Sequence, residues 1–308
     1  MKALILSALV LVTACSSSEN DTTSGGSGGG GASATSASTG AGTGGSGGAA
    51  ERPVKVVVPE SYDGSEAVPL VVLLHGYSAS GLVQEAYFKL SAQAEKHGFI
   101  YAIPEGTVDK LGMKFWNASD ACCDFNQSKV DDSAFLAGFV DELSSTYKID
   151  PKRVFFIGHS NGGFMSYRMA CDHADKIAAI VSLAGAMPAD AVACKASEPV
   201  AVLQIHGTED GTIDYAGGKT ATKAYPGAKD SVLDWVATNG CSPTPESGEP
   251  LDLESKLEGT ETKVERYPGC KPGGAAELWT MEKGGHLPSL TPDFAVRTIE
   301  FLLAHPKP

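Results

Sequence analysis

The chain has 308 residues, of which 42% are hydrophobic, so it can bury a full core and one large folded domain is expected. Its formal net charge of −13 argues against a nucleic-acid-binding protein and provides no basic face for anionic lipid, because both ligands require clustered lysine and arginine. Beyond the N-terminal residues, no apolar stretch is long enough to span a bilayer.

Residues 1–14 have the pattern of a bacterial export signal. Lys2 precedes a short apolar run of the kind found in secretory signal peptides. The run ends in V-T-A-C, which resembles a lipobox and predicts lipidation of Cys15; an ordinary signal peptide that contains a cysteine is the alternative. Residues 15–52 are rich in Gly, Ser, Thr and Ala, so we predict a lipidated cysteine and a flexible tether before a catalytic domain at residues 53–308.

Beyond the tether, short apolar runs alternate with amphipathic segments. Predicted strands cover residues 54–58, 70–74, 99–104, 154–157, 177–183, 200–205 and 277–281. Predicted helices cover residues 81–97, 131–147, 163–170, 229–239 and 293–303, and irregular excursions cover residues 107–130 and 241–276. This alternation predicts an α/β protein with a doubly wound, mostly parallel sheet flanked by helices, whose site lies beyond the carboxyl ends of the strands.

Residues 158–162 read G-H-S-N-G and follow a buried strand. A G-x-S-x-G pentapeptide between a strand and a helix is typical of a nucleophile elbow, in which glycines two positions before and after the serine relieve crowding at a tight turn. The pentapeptide alone also occurs in ordinary Gly/Ser turns. The strand before it and the helical segment after it favour the elbow, with Ser160 as the nucleophile.

A serine nucleophile needs a base, and the base needs an acid that orients it. The chain order Ser, Asp, His of this fold predicts Asp210 as the acid, because it follows the strand at residues 200–205; Asp214 and Glu209 are the alternatives. His286 follows the last strand in a glycine loop and is the predicted base.

Three other histidines adjoin the active face but belong to earlier strands. For His75, His159 and His206 we expect a packing or supporting role.

The oxyanion formed during ester cleavage requires two backbone N–H donors. One is predicted to be the amide of Asn161, the residue after the nucleophile. The other is predicted to be the Tyr77 amide, in the H-G-Y-S segment that follows the strand at residues 70–74.

Several motifs together carry a family resemblance. They are G-H-S-N-G-G-F-M-S-Y-R-M-A-C at residues 158–171, W-N at 116–117, C-C at 122–123, D-D at 131–132, H-G-T-E-D at 206–210 and G-G-H at 284–286. In combination they resemble the polyhydroxybutyrate depolymerase and feruloyl esterase group of α/β-hydrolases, over residues 53–303. The resemblance implies an α/β-hydrolase fold and a carboxylic-ester hydrolase that cleaves hydroxyalkanoate oligomers or hydroxycinnamoyl esters of polysaccharide. It assigns the same triad of Ser160, Asp210 and His286.

The predicted substrate contacts are Tyr77, Trp116 and Leu287. The two aromatic residues are candidates for the wall of the cleft, with plain packing as the alternative for each. Leu287 stands where the family often has Thr-Trp-Pro after the histidine, so the substrate class stays open between aromatic and hydroxyalkanoate esters.

Six cysteines remain if Cys15 is lipidated, which fits three disulfides in an exported protein. The predicted pairs are Cys171–Cys194 and Cys241–Cys270, each closing a local excursion. Cys122 and Cys123 then form either a vicinal bridge or a pairing across the two excursions. No C-x-x-C spacing is present, so no metal site is predicted.

The predicted function is an exported serine esterase that uses no cofactor and takes a small or oligomeric ester. We expect a monomer that meets a membrane only through its lipid anchor and binds no nucleic acid. A peptidase or an acyltransferase uses the same triad and remains an alternative. A non-catalytic surface lipoprotein is a further alternative, against which the complete set of nucleophile, base, acid and oxyanion loop argues.

Overall fold

The computed structural model describes residues 52–190, 194–220 and 223–308. The predicted signal peptide, the lipidated Cys15 and the tether up to residue 51 lie outside the described residues. The strands are β1 Val54–Val57, β2 Val68–Leu74, β3 Ile100–Pro104, β4 Thr107–Val108, β5 Lys114–Phe115, β6 Ile149–His159, β7 Ala179–Leu183, β8 Ala201–Gly207, β9 Gly217–Thr220, β10 Lys223–Pro226, β11 Glu246–Ser247, β12 Thr262–Arg266 and β13 Ala275–Met281. The helices are α1 Gly81–Phe88, α2 Ser91–His97, α3 Asp132–Thr146, α4 Asn161–Asp172, α5 Ala228–Asn239 and α6 Pro292–Ala304.

Nine of these strands form one sheet, in the order β1-β3-β2-β6-β7-β8-β13-β12-β11. The six strands from β3 to β13 pair in parallel, while β1, β12 and β11 add antiparallel edges. Such a mostly parallel sheet, with helices on both faces, is the α/β-hydrolase architecture that the sequence predicts. The strand ends therefore bring residues distant in sequence to one edge.

The core lies in two layers, one on each face of the sheet. Along β2, Leu70, Val72 and Leu74 pack on the face that α3 and α4 cover. The intervening Val71 and Leu73 pack on the opposite face, against α1, α2 and α6. Because successive side chains of a strand point to opposite faces, a continuous apolar run such as this indicates burial on both sides.

The single helix predicted at residues 81–97 is wrong, because the chain forms α1 and α2 with a break at Lys89. Lys89 has a φ of 57°, and its amide donates to the Glu85 carbonyl to close α1. The Glu85 carboxylate accepts from the amides of Leu90 and Ser91 at 3.2 and 2.9 Å. It thereby satisfies amide donors at the start of α2, which a continuous helix would not leave free.

Two further segments differ from expectation. Residues 241–276, predicted to be irregular, contain β11 and β12, which extend the sheet beyond β13. Strand β6 begins at Ile149, five residues before the predicted strand at residues 154–157, and so includes Pro151. Ile149 pairs with Val68 and Val154 with Leu70, so the intervening residues of β6 bulge out of the ladder and accommodate the proline, which has no N–H.

In the part of the chain that the structure describes, no helix combines the length and apolar character needed to cross a membrane.

Candidate active site

Ser160 lies at the turn between β6 and α4, as predicted for a nucleophile elbow. Its backbone has a φ of 52° and a ψ of −118°, an unusual conformation for a residue with a side chain. Its amide donates to the Leu183 carbonyl of the neighbouring strand β7 at 2.8 Å. The turn is therefore tied to the sheet, and the hydroxyl is held at its carboxyl edge.

The two glycines of the pentapeptide are required by close backbone approaches. A Cβ on Gly158 would lie 2.3 Å from the carbonyl of Gly162. A Cβ on Gly162 would lie 2.1 Å from the Leu74 carbonyl oxygen of β2. Neither neighbour is a flexible side chain, so only glycine fits at both positions.

His286 lies in the loop between β13 and α6 and contacts the serine. Its Nε2 is 3.0 Å from Ser160 Oγ, and its Nδ1 is 2.8 Å from Asp210 Oδ2. An imidazole held between a hydroxyl and a carboxylate in this way can accept the serine proton while the carboxylate stabilises the resulting imidazolium. The three residues come from the ends of β6, β8 and β13, which the sheet order places near one another.

Asp210 is the carboxylate that contacts His286. Its Oδ1 accepts from the amides of Thr212 and Ile213, each at 2.8 Å. Burial alone would raise the pKa of Asp210, but hydrogen bonds from His206 and His286 outweigh it and hold the pKa well below its ordinary value. Asp210 is thus ionised at neutral pH, as an acid that orients a histidine must be.

The two alternative acids lie elsewhere. Asp214 is exposed, and its Oδ1 caps a turn by accepting from the Ala216 amide at 2.9 Å. Glu209 is exposed, and its backbone amide donates to the Gly284 carbonyl at 2.9 Å.

His206, for which the sequence predicts a packing or supporting role, is a second histidine on Asp210. Gln204 Nε2 donates to His206 Nδ1 at 3.0 Å, so the ring carries its N–H on Nε2. His206 Nε2 then donates to the Ile213 carbonyl at 2.8 Å and faces Asp210 Oδ2 at 3.2 Å. This buried ring therefore helps to hold the carboxylate in place.

His159 contacts the backbone of the candidate base. It is 5% exposed, and its Nε2 donates to the His286 carbonyl at 2.8 Å. Burial, together with the neighbouring His286 ring, lowers the pKa of His159 to about 4. The ring is therefore neutral at physiological pH and anchors the loop that carries His286.

The two segments that carry the predicted oxyanion donors both lie next to the serine. Asn161 is the first residue of α4, and the first amides of a helix have no partner within it. The loop with Tyr77 passes close by, since a Cβ on Gly76 would lie 3.6 Å from the Ser160 Cβ. Both segments thus border the nucleophile, as an oxyanion hole requires.

A cleft of about 570 Å³ opens above Ser160 and His286. Its walls include Tyr77, Val83, Tyr87 and Leu287, together with Lys114. Two of the predicted substrate contacts, Tyr77 and Leu287, therefore line this cleft, and Leu287 is 68% exposed. Its aromatic and aliphatic lining suits an apolar acyl group.

The third predicted substrate contact, Trp116, is corrected by the structure. Its side chain is 0% exposed and packs beneath the site, so it does not form a wall of the cleft. Its indole Nε1 donates to the His75 carbonyl at 3.1 Å. The alternative of packing therefore holds for this residue, because the excursion at residues 107–130 folds back over it.

Three disulfides are present. Cys171 bonds to Cys194 and Cys241 bonds to Cys270, as predicted. Of the two options for the remaining pair, the vicinal bridge Cys122–Cys123 is formed.

Across the described residues, no group of three His, Cys, Asp or Glu side chains is arranged to hold a metal ion.

Comparison with known proteins identifies the family of the chain. Residues 56–236 match the phospholipase/carboxylesterase family, a span that includes Ser160 and Asp210 and ends before His286. Feruloyl esterase B of Piromyces equi is 30% identical over 243 residues, which cover 76% of this chain and 42% of that protein. Feruloyl esterase D of Neurospora crassa is 29% identical over 245 residues, which cover 76% of this chain and 73% of that protein.

A solved structure supports the same fold. Acetyl xylan esterase from Aspergillus awamori aligns with a TM-score of 0.58 at 17% identity, covering 82% of this chain and 93% of that one. At this identity the likeness concerns the fold alone, and it confirms the predicted α/β-hydrolase architecture. The chain spans less than half of the length of the Piromyces relative, at 42%.

Proposed function

Because the chain belongs to the phospholipase/carboxylesterase family of α/β-hydrolases, we propose that it is a serine carboxylic-ester hydrolase with the triad Ser160, His286 and Asp210. The observation that supports this proposal most is the unbroken line of hydrogen bonds from Ser160 Oγ through the His286 ring to the Asp210 carboxylate, at 3.0 and 2.8 Å. These distances lie within the range over which a nucleophile, a base and an acid cooperate.

The proposed reaction proceeds through an acyl-enzyme. His286 Nε2 accepts the hydroxyl proton as Ser160 Oγ bonds to the ester carbonyl carbon, and the imidazolium then gives this proton to the leaving alcohol oxygen. In the second half, His286 accepts a proton from water as the water oxygen bonds to the acyl carbon. The imidazolium then returns this proton to Ser160 Oγ as the bond from the acyl carbon to Oγ breaks and the carboxylic acid leaves. Asp210 stays ionised throughout and stabilises the imidazolium.

The negative charge of each tetrahedral intermediate is proposed to fall between the Asn161 and Tyr77 amides. Loss of one such donor typically costs on the order of 3 kcal/mol of transition-state stabilisation. No cofactor takes part in either half of the proposed reaction.

The proposed substrate is a hydroxycinnamoyl ester of the feruloyl type. Two observations support this choice: relatives named feruloyl esterases, and the Tyr77, Tyr87 and Val83 side chains along the cleft. An aromatic acyl group gains from such a lining, because edge-to-face contacts between rings add about 0.5–1.5 kcal/mol to area burial.

The experiment that tests this function is an ester panel, assayed with the intact chain and with Ser160→Ala. Methyl ferulate, short p-nitrophenyl esters and soluble hydroxybutyrate oligomers are compared. We expect hydrolysis that is fastest with methyl ferulate and lost in the variant. A preference for the oligomers would replace the aromatic substrate with hydroxyalkanoates, and activity that survives Ser160→Ala would reject the triad.

The same assay separates esterase from the related chemistries. Peptide substrates and competing alcohols are added, and the products are analysed. Hydrolysis products alone support the esterase, whereas cleaved peptides or transesterified alcohols would favour a peptidase or an acyltransferase. A folded protein inert on every substrate would favour a binding role.

The three disulfides are consistent with an extracellular protein, since such bridges persist in oxidising compartments. We propose in addition that the protein is exported as a lipoprotein modified at Cys15 and acts as a monomer. Metabolic labelling with a radioactive fatty acid is expected to label the wild type and to fail with Cys15→Ser. Equal labelling of both would reject the anchor, and light scattering of the purified protein tests the monomer.

A further inference from the structure

We propose that Trp116 is a positioning residue that holds both amide donors of the oxyanion hole at once. This inference rests on the proposed function, since it takes the Asn161 and Tyr77 amides as those donors. It gives a role to a tryptophan that the substrate cannot reach. Its backbone contacts the Asn161 side chain, while its indole N–H and its ring both contact His75 in the loop that carries Tyr77.

The first contact is between the Trp116 backbone and the Asn161 side chain. Asn161 Oδ1 accepts from the Trp116 amide at 2.7 Å, and Asn161 Nδ2 donates to the Trp116 carbonyl at 2.8 Å. Asn161 is 0% exposed, so this paired contact has no competition from water. The side chain of Asn161 is thereby fixed to a neighbouring segment, which restrains the residue whose amide is one of the proposed donors.

The second contact is between the indole and the loop that carries Tyr77. Trp116 Nε1 donates to the His75 carbonyl at 3.1 Å, two residues before Tyr77. The His75 ring packs on the indole with centroids 5.0 Å apart. His75 Nδ1 donates to the Gly76 carbonyl at 2.8 Å, and its Nε2 accepts from the Gly106 amide at 2.9 Å. The loop before Tyr77 is thus fixed from both its backbone and its side chain.

One residue therefore joins the two segments that must approach a single oxygen. The donors of an oxyanion hole contribute fully only within about 2.7–3.1 Å of the developing charge, and they act because they need no rearrangement during the reaction. A shift of about 1 Å between catalytic groups can cost on the order of 100-fold in rate. A buried link between both donors is a direct way to prevent such a shift.

Trp116 is itself anchored on the side away from the serine. The amide of the next residue, Asn117, donates to Asp132 Oδ2 at 2.6 Å, and Asp132 Oδ1 accepts from Arg52 at 2.5 Å. Asp132 is 1% exposed and begins α3. Trp116 is therefore connected, through Asn117, to Asp132 at the start of α3.

The test is Trp116→Phe, which deletes the indole N–H and keeps an aromatic ring. The matched control is Trp235→Phe, because Trp235 is 1% exposed and its indole N–H has no hydrogen-bond partner among the described residues. With the best ester of the panel, we expect kcat of Trp116→Phe to fall by about 10- to 100-fold while KM changes by less than about threefold. The control should keep both constants within about twofold.

A transition-state analogue provides a readout that a merely structural role would not change. An alkylboronic acid forms a bond from boron to Ser160 Oγ, passes the serine proton to His286 and presents an oxygen to the oxyanion hole. The inhibition constant should rise in Trp116→Phe by the same factor by which kcat/KM falls. Rates are expressed per active site titrated, so that an inactive fraction of unfolded protein does not lower kcat.

A second replacement covers the case in which Trp116→Phe does not fold. Benzothienylalanine at position 116 keeps the shape of the indole and removes only its N–H, and the same fall in kcat is expected. If either variant folds and matches the control in kcat and boronic acid affinity, the inference is overturned while the esterase stands. If the wild type and Trp235→Phe hydrolyse no ester, the proposed function fails and this inference falls with it.

Discussion

At the scale of single residues, the candidate triad is surrounded by buried histidines that do not take part in proton transfer. His159 holds the backbone of the base, His206 holds the carboxylate of the acid, and His75 stiffens the loop before Tyr77. Burial lowers the pKa of His75 and of His159, so both rings are neutral donors at physiological pH. Neutral rings can occupy these positions without placing extra positive charge beside the base.

Asp210→Asn tests the acid at this scale. The asparagine would keep an oxygen for the Thr212 and Ile213 amides, but its NH₂ group would face His286 Nδ1 and impose the wrong tautomer. We expect kcat to fall by about 10⁴-fold in a folded protein. Asp214→Asn is the control, with kcat unchanged; a reversed result would transfer the acid role to Asp214.

His159 also predicts a pH dependence of stability. Its pKa is about 4 in the folded protein against an ordinary value of 6.5, so below pH 6.5 the unfolded chain takes up a proton that the folded protein excludes. The stabilisation is therefore fully present above pH 6.5 and is lost as the pH falls toward 4. Between pH 7.5 and 4.5 the loss amounts to about 2–3 kcal/mol.

The measurement is urea unfolding of the wild type and of His159→Gln at these two pH values. Glutamine keeps an N–H for the His286 carbonyl but does not titrate. The free energy of unfolding should fall by about 2–3 kcal/mol more in the wild type than in the variant. Equal losses in both proteins would mean that His159 is protonated in the folded state.

At the scale of elements, glycine positions separate the parts of the chain that tolerate a side chain from those that do not. In the elbow, Gly158 and Gly162 face backbone atoms at 2.3 and 2.1 Å, measured from an added Cβ. In α3, Gly138 is exposed, and an added Cβ would meet no atom within 4 Å. Glycine therefore permits close backbone packing in the elbow, whereas in α3 it only lowers the stability of the helix.

Gly138→Ala should stabilise the protein by about 0.5–1 kcal/mol, because alanine loses less conformational freedom in a helix interior. The melting temperature is expected to rise by at most about 4 °C, with no change in ester hydrolysis. Gly162→Ala is the contrasting variant, and we expect loss of both folding and activity. A Gly138→Ala protein that melts at a lower temperature would contradict the exposure of this position.

At the scale of the whole molecule, the mostly parallel sheet places the candidate triad at one edge. The long connections between strands form the segments around the site and extend the sheet. The strand ends of β6, β8 and β13 supply the candidate triad. The excursion at residues 107–130 covers the oxyanion segments through Trp116, and β12 with β11 extends the sheet on the far side. The Cys241–Cys270 disulfide closes the connection that carries β11 and β12.

Removal of one such bridge gives a global prediction. Cys241 and Cys270 are 29 residues apart, and a loop of this length is worth about 3.5 kcal/mol in the chain-entropy account of disulfides. The double variant Cys241→Ser/Cys270→Ser should lose about this much free energy of unfolding in urea while kcat per folded molecule is kept. A loss of activity in the folded variant would show that this connection also shapes the site.

Some elements of the fold were predictable from the sequence, and others were not. The buried strand before Ser160 and the helix after it were predictable, because a dense apolar run and a G-x-S-x-G turn are local patterns. The break at Lys89 was missed because the apolar period continues across it while the Glu85 carboxylate caps the second helix. Strand β12 was missed because its short sequence alternates buried with charged residues and lacks a continuous apolar run.

The sequence by itself determined the fold class, the chain order of the candidate triad and two of the three disulfide pairs, since each depends on patterns within a short stretch or on cysteine count. Only the tertiary structure decided that Trp116 is buried beneath the oxyanion segments and that His159 anchors the loop of the base. These contacts join residues 45 and 127 positions apart. Such distances carry no local signal, because they are set by how the sheet stacks its strand ends together.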